Sequence, residues 1–258
     1  MSRDMLITPQ TLALYARLSQ LAYVQDETQL EERLFPLGFE LLHTFDSVET
    51  GTQAYLAKSL ETGAYELFAR GTEADQLKDI KTDLDFRKRA MPTAPATWLH
   101  KGFYDASMSL FHQVSAAVPA AKRRDMKLSG HSLGGIIAQI LAFQLGIGEE
   151  GFVVSYGAPR GGNQAFADLF VEDGIHNYRV VRQADPVPLL PPKGLGFTGA
   201  GIKIYIDVDL QLRQNPPFYS EAALRLVSLL DKGLNWREAI ADHDIEKYAT
   251  DLETIARG

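Results

Sequence analysis

The chain has 258 residues, 45% of them apolar and 23% charged, an ordinary globular composition large enough to bury a full core. Its 26 basic and 33 acidic residues leave a net charge of -7, which argues against a nucleic-acid partner. There is no cysteine, so disulfides, thiol catalysis and cysteine-ligated zinc are excluded.

In chain order, Thr8 followed by Pro9 reads as an N-cap and first helical residue. Leu14, Leu18, Leu21 and Ala22 then share one face of a predicted amphipathic helix. A shorter helix is predicted over residues 29–34, stopped by Pro36 and Gly38. Strands are expected over 53–57 and 64–69, joined by the turn-prone Glu61-Thr62-Gly63. The basic triplet Lys122-Arg123-Arg124 reads as a solvated helix end or loop. An apolar run at 126–128 leads into Gly130-His131-Ser132-Leu133-Gly134-Gly135, and a long apolar stretch over 136–145 follows. This is the pattern of a nucleophile elbow, a strand turning sharply into a helix so that a serine oxygen stands above a sheet. Further β-rich runs at 152–156 and 177–181 flank a helical segment at 164–170. The alternation predicts an α/β fold with a mostly parallel sheet covered by helices. Ile202, Ile204, Ile206, Val208 and Leu210 alternate with polar residues, which predicts a half-exposed antiparallel strand toward one edge. No linker, repeat or low-complexity tract interrupts the chain, so a single domain over 1–258 is expected. The first residues lack the apolar core of a signal peptide, and no run approaches membrane-spanning length. A cytoplasmic location is the expectation, with signal-independent export as the alternative.

A serine hydroxyl needs a base to take its proton, most often a histidine oriented by a carboxylate. In elbow hydrolases the order is serine, acid, histidine, and two histidines follow Ser132. His176 begins a strand, whereas His243 lies in a loop-like stretch after the last strand, free to fold back over the sheet. His243 is the candidate base. Asp185 follows the strand ending at Val181, with Pro186 and Pro188 stiffening what comes next, and is the candidate acid. Its competitors are Asp207 and Asp209, expected on the solvated face of the alternating strand, and Asp173, expected in a turn. Asp185 could alternatively serve as an Asx turn before proline. An oxyanion hole needs two donors. The backbone N–H of Leu133 would be one, and Thr72, in the turn after the strand ending at Ala69, would offer its N–H and hydroxyl.

With these residues assembled, the chain resembles the class 3 (fungal-type) lipases of the α/β-hydrolase fold. The resemblance rests on Ala69-Arg70-Gly71-Thr72, His100-Lys101-Gly102-Phe103, the block Ser129 through Gly135, Tyr156-Gly157-Ala158-Pro159-Arg160, Gly162-Asn163-Gln164-Ala165-Phe166-Ala167, Asp185-Pro186-Val187-Pro188, and His243 with Tyr248 behind it. It implies Ser132, Asp185 and His243 as a triad, Thr72 and Leu133 as oxyanion donors, and residues 73–86 as a lid. The first eleven lid residues carry six charges, with Ala74, Leu77 and Ile80 the apolar ones, so the lid's apolar face is narrow. The implied activity is hydrolysis of acyl esters of lipids, acylglycerols foremost, without metal or organic cofactor. Phospholipase A1, galactolipase or acyltransferase chemistry would use the same triad, and a catalytically silent lipid- or partner-binding protein is the alternative of a different class. The implied partner is a small ester or lipid, with at most peripheral membrane or micelle contact and no protein partner. The loop 189–197, apolar and rich in proline and glycine, either lines an acyl groove or covers core.

Overall fold

The computed structural model describes residues 7–71, 86–231 and 236–258. Helix α1 (Pro9–Leu21) starts where Thr8 Oγ1 accepts a hydrogen bond from the Thr11 N–H. Its buried face runs through Leu12, Tyr15, Ala16 and Leu18, while Leu14 is half-buried. Helix α2 (Glu27–Leu34) begins two residues before the expected start, because the Asp26 carboxylate accepts from the Gln29 N–H and caps it there. Three antiparallel strands follow: β1 (Phe39–Ser47), β2 (Thr52–Ser59) and β3 (Tyr65–Ala69). A bulge between Leu41 and His43 interrupts the period of two in β1, so this edge strand gives no clean alternation in sequence. Strands β4 (Lys88–Met91) and β5 (Ala94–His100) form a separate hairpin.

The remaining elements alternate: α3 (Lys101–Ala117), β6 (Lys127–His131), α4 (Leu133–Leu145), β7 (Phe152–Tyr156), α5 (Gln164–Glu172), β8 (His176–Arg182), β9 (Ile202–Ile206), β10 (Leu212–Gln214), α6 (Phe218–Asp231), α7 (Trp236–Ala241) and α8 (Ile245–Arg257). The main sheet has the order β1-β2-β3-β6-β7-β8-β9-β10, with β3 through β9 in that order parallel. One face packs on α3, α4 and α5 through residues such as Leu110, Ile137, Ile140 and Phe166. The other packs on α1 and α8 through Leu12, Leu18, Tyr248 and Leu252. Burial of both faces explains why β7, Phe-Val-Val-Ser-Tyr, reads as a nearly continuous apolar run rather than an alternating one. No helix among the described residues is long and apolar enough to cross a membrane.

The expectation for residues 202–210 is corrected. The strand ends at Ile206, runs parallel to β8, and is covered from the edge by β10. The apparent continuation is a turn, in which Leu210 has φ 56°. Asp207 is buried, not solvated: its Oδ1 accepts from the N–H groups of Asp209 and Gln211, and its Oδ2 pairs with Arg213 at 2.6 Å. A carboxylate organising a turn and a polar residue on an exposed strand face look alike in sequence.

Candidate active site

Ser132 sits between β6 and α4 with φ 56° and ψ -128°, a conformation uncommon for a residue with a side chain. The fold over-determines it: the Ser132 N–H donates to Tyr156 O at 2.9 Å, and its carbonyl accepts from Gly135 N at 3.0 Å. The helix begins so close to β3 that a β-carbon on Gly134 would lie 2.1 Å from Ala69 O. The residues Gly-x-Ser-x-Gly therefore form the strand–turn–helix their order predicts.

Asp185, one residue beyond the turn that ends β8, is fully buried. Its Oδ2 accepts from His243 Nδ1 at 2.8 Å and from the Tyr248 hydroxyl at 2.6 Å, while Oδ1 accepts from Val187 N at 2.9 Å. The carboxylate thus closes an Asx turn with one oxygen and holds the histidine with the other. His243 lies in the short turn between α7 and α8 and is 2% exposed. With Nδ1–H directed at Asp185, its Nε2 has no hydrogen-bond partner among the described residues. A β-carbon on Gly157, where φ is 59°, would stand 2.8 Å from both Asp185 Oδ2 and His243 Nδ1, so the pair meets over a bare backbone.

Several residues that sequence reasoning did not assign hold this pair in place. His131 Nε2 lies 2.6 Å from His243 O, an atom that can accept but not donate, so the proton is on Nε2. Nδ1 therefore accepts from the Tyr23 hydroxyl at 2.8 Å. Burial, reinforced by the neighbouring His243, holds the His131 pKa well below the ordinary histidine range, so this ring stays neutral. Burial and the Asp185 charge push the Tyr248 hydroxyl well up, which keeps it a donor, and it also accepts from the Arg182 N–H at 3.0 Å. Asp242, beside His243, is fastened to the end of β8 by Arg182 Nη1 at 2.6 Å and by Ala184 N at 3.2 Å. The signal for Tyr248 was its position five residues after His243. For Tyr23 and His131 the partners are 108 residues apart, and no local pattern points to them.

Leu133 opens α4, where a helix's first N–H groups have no intrahelical acceptor. Thr72 lies outside the described residues, as do residues 73–85 of the expected lid. Gly71, just before Thr72, lies against the elbow: a β-carbon there would be 3.0 Å from Ser132 Cβ. Phe86, the last lid residue, is described and lies 6.4 Å from the Phe197 ring. The loop after Asp185 buries Phe197 against Trp98 but leaves Leu189 and Leu195 exposed, so it both covers core and borders solvent.

A parallel sheet with an elbow serine at the end of one strand and an aspartate–histidine pair beyond the next but one is the arrangement of an α/β-hydrolase. The class 3 lipase family profile matches residues 67–195, and the chain belongs to that family. A lipase from Rhizomucor miehei is 31% identical over 180 residues, covering 65% of this chain and 48% of its own. The "Secreted mono- and diacylglycerol lipase 1" of Fusarium solani is 30% identical over 166 residues, 62% of this chain and 49% of its own. The chain thus spans about half the length of the curated relatives it matches. A solved triacylglycerol lipase, whose catalytic centre is described as a serine protease triad, superposes with a TM-score of 0.70 at 27% identity, over 81% of this chain and 85% of that one.

Proposed function

We propose that the protein is a lipase-type carboxylic ester hydrolase, with Ser132, His243 and Asp185 as its triad. The observation that carries this reading is the 2.8 Å contact between His243 Nδ1 and Asp185, which leaves Nε2 without a hydrogen-bond partner among the described residues, Ser132 Oγ included, in a chain whose elbow holds Ser132 at positive φ. Ser132 Oγ attacks the acyl carbon as His243 Nε2 takes its proton and then passes it to the departing alcohol. Asp185 holds the imidazole in the tautomer this transfer needs and stabilises the imidazolium. The Leu133 N–H, with Thr72, receives the negative oxygen of the tetrahedral intermediate, and water then releases the acyl group by the same steps in reverse roles. The names of the similar proteins support acylglycerols as the substrate class.

The test is hydrolysis of p-nitrophenyl esters from acetate to palmitate by the wild type beside Ser132→Ala. Loss of such a nucleophile costs on the order of 10⁶-fold in kcat. The expected result is turnover in the wild type and none above background in the variant, with an optimum beyond acetate. Equal turnover in both would overturn the assignment. The narrow apolar face of residues 73–86 adds an expectation to the same series: no jump in rate as a short-chain ester passes its solubility limit.

A further inference from the structure

The loop after Asp185, the strands β8 and β9, and α6 line a cavity of about 580 Å³, within the usual size of a small-molecule site. Arg160, Arg179, Lys193, Lys203 and Arg225 line it, opposed by a single lining carboxylate, Glu221. Five cations against one anion is an unusual concentration in a chain whose net charge is -7. Glu221 is already engaged by Lys203 at 2.5 Å and Arg225 Nε at 3.1 Å. The other hydrogen bonds of the arginines go to neutral carbonyls: Arg160 Nη1 to Leu189 O at 2.5 Å and Pro191 O at 2.9 Å, Arg179 Nη2 to Pro188 O at 2.8 Å, and Arg225 Nη1 to Asp185 O at 2.8 Å, while the Arg225 guanidinium lies 5.6 Å from the Tyr205 ring.

Carbonyls satisfy hydrogen-bonding capacity but do not neutralise charge. Arg179 is 6% exposed, and among the described residues its Nε has no hydrogen-bond partner; the buried Nη2 of Arg225 has none among them either. Burial, followed by the nearby Arg160 charge, pushes the Arg179 guanidinium down to about 10, and burial with the Arg225 charge lowers Arg160 as well. Burial works against the Glu221 charge, but Lys203 and Arg225 outweigh it and hold its carboxyl below the ordinary range, so it remains the counter-ion.

We propose that this cavity binds the phosphate group of a small phosphorylated ligand. The unmatched positive charge exceeds what one carboxylate would neutralise, whereas a phosphate monoester carries nearly two negative charges. Its several oxygens suit guanidinium forks and ammonium groups converging from different walls. The phosphate can belong to a soluble ester or to an anionic lipid. Phe218 and Leu226, exposed at 79% and 53% on the cavity's rim, would give the lipid an apolar contact that a soluble ester does not use.

Binding is measured on the Ser132→Ala protein, so that no ester is turned over and the outcome is separate from that of the proposed hydrolysis. Inorganic phosphate and glycerol phosphate are titrated by calorimetry and thermal shift at constant ionic strength, with chloride as control. In a second arm, sedimentation is measured with phosphatidylcholine vesicles containing or lacking phosphatidic acid. The expected result is saturable binding in at least one arm, weakened at least tenfold by Lys193→Glu, at an exposed rim position, and by Arg179→Gln where circular dichroism shows the fold retained. Binding in the soluble arm assigns a soluble phosphate ester, and binding confined to phosphatidic acid vesicles assigns a lipid headgroup. No saturable binding in either arm, or binding that Lys193→Glu leaves unchanged, would overturn the proposal.

Discussion

The Tyr248 hydroxyl donates one of three hydrogen bonds to the Asp185 carboxylate, and it shares Oδ2 with His243. Removing it leaves the histidine contact intact but makes the buried carboxylate a less well-solvated anion. Hydrogen bonds to charged groups contribute about 1.5–3 kcal/mol, part of which the aspartate recovers from its two remaining donors. Tyr248→Phe should therefore lower kcat about tenfold with little change in KM, and steady-state kinetics beside a melting curve would show it. An unchanged kcat would mean that the hydroxyl serves packing alone. His131 acts on the same pair from behind. Because its folded pKa is depressed, the unfolded chain binds the proton more readily, so its contribution to stability is fully present above about pH 6.5 and is lost as the pH falls below that value. The loss is at most about 1.4 kcal/mol per pH unit. Glu66 works in the opposite sense: burial raises its pKa despite Lys127 and Tyr15, so its charging disfavours the fold above about pH 4.5. Comparison with His131→Gln isolates the histidine. The stability gap between wild type and variant should narrow from pH 7.5 to pH 5, and a constant gap in urea titrations would rule the mechanism out.

At the scale of elements, the site depends on how closely α4 approaches β3 and how firmly the α7–α8 turn is fastened to β8. Gly134→Ala tests the first. The added carbon would meet Ala69 O, a backbone atom in the sheet, at 2.1 Å, so the helix start has to move. Overpacking of this kind costs about 1–3 kcal/mol, and the displacement carries the Leu133 N–H with it. Both the urea midpoint and kcat should fall; a stability loss with kcat untouched would separate the helix start from oxyanion binding. These elements also show how far the sequence could be read. The β6–elbow–α4 unit was legible because its glycines and apolar runs are contiguous, and Asp185 and His243 because the order of a triad limits the choice. The α8 face was legible in principle, since Ile245, Tyr248, Ala249 and Leu252 recur at helical spacing. By contrast, β1 is hidden by its bulge, and Asp207 by a turn that prolongs a strand's alternation. The contacts of His131 with Tyr23 and of Asp242 with Arg182 join distant stretches of chain, and no periodicity encodes them.

On the scale of the whole molecule, the three catalytic candidates come from separate parts of one core. Ser132 follows a central strand, Asp185 follows another, and His243 precedes α8, which packs on the sheet beside α1. Arg17 of α1 pairs with Glu253 at 2.5 Å and with Glu246 at 2.8 Å on α8, but these pairs are partly exposed and screened. The apolar contact beneath them carries more of the attachment. Leu252, with no exposed surface, joins Leu12 and Leu18 in that layer. Leu252→Ala should cost about 2–5 kcal/mol, which for a chain of this size lowers the melting temperature by on the order of 10 °C. Because α8 carries Tyr248 and fixes the turn bearing His243 in the same core that shapes the elbow, activity and structure should fail together. Residual ester hydrolysis and tryptophan fluorescence, followed across the same temperature ramp, should give coincident midpoints in wild type and variant, both shifted downward. If activity in Leu252→Ala disappeared several degrees before the fluorescence change, α8 would be opening as a separate unit. The histidine would then be held by a local attachment rather than by the cooperative core.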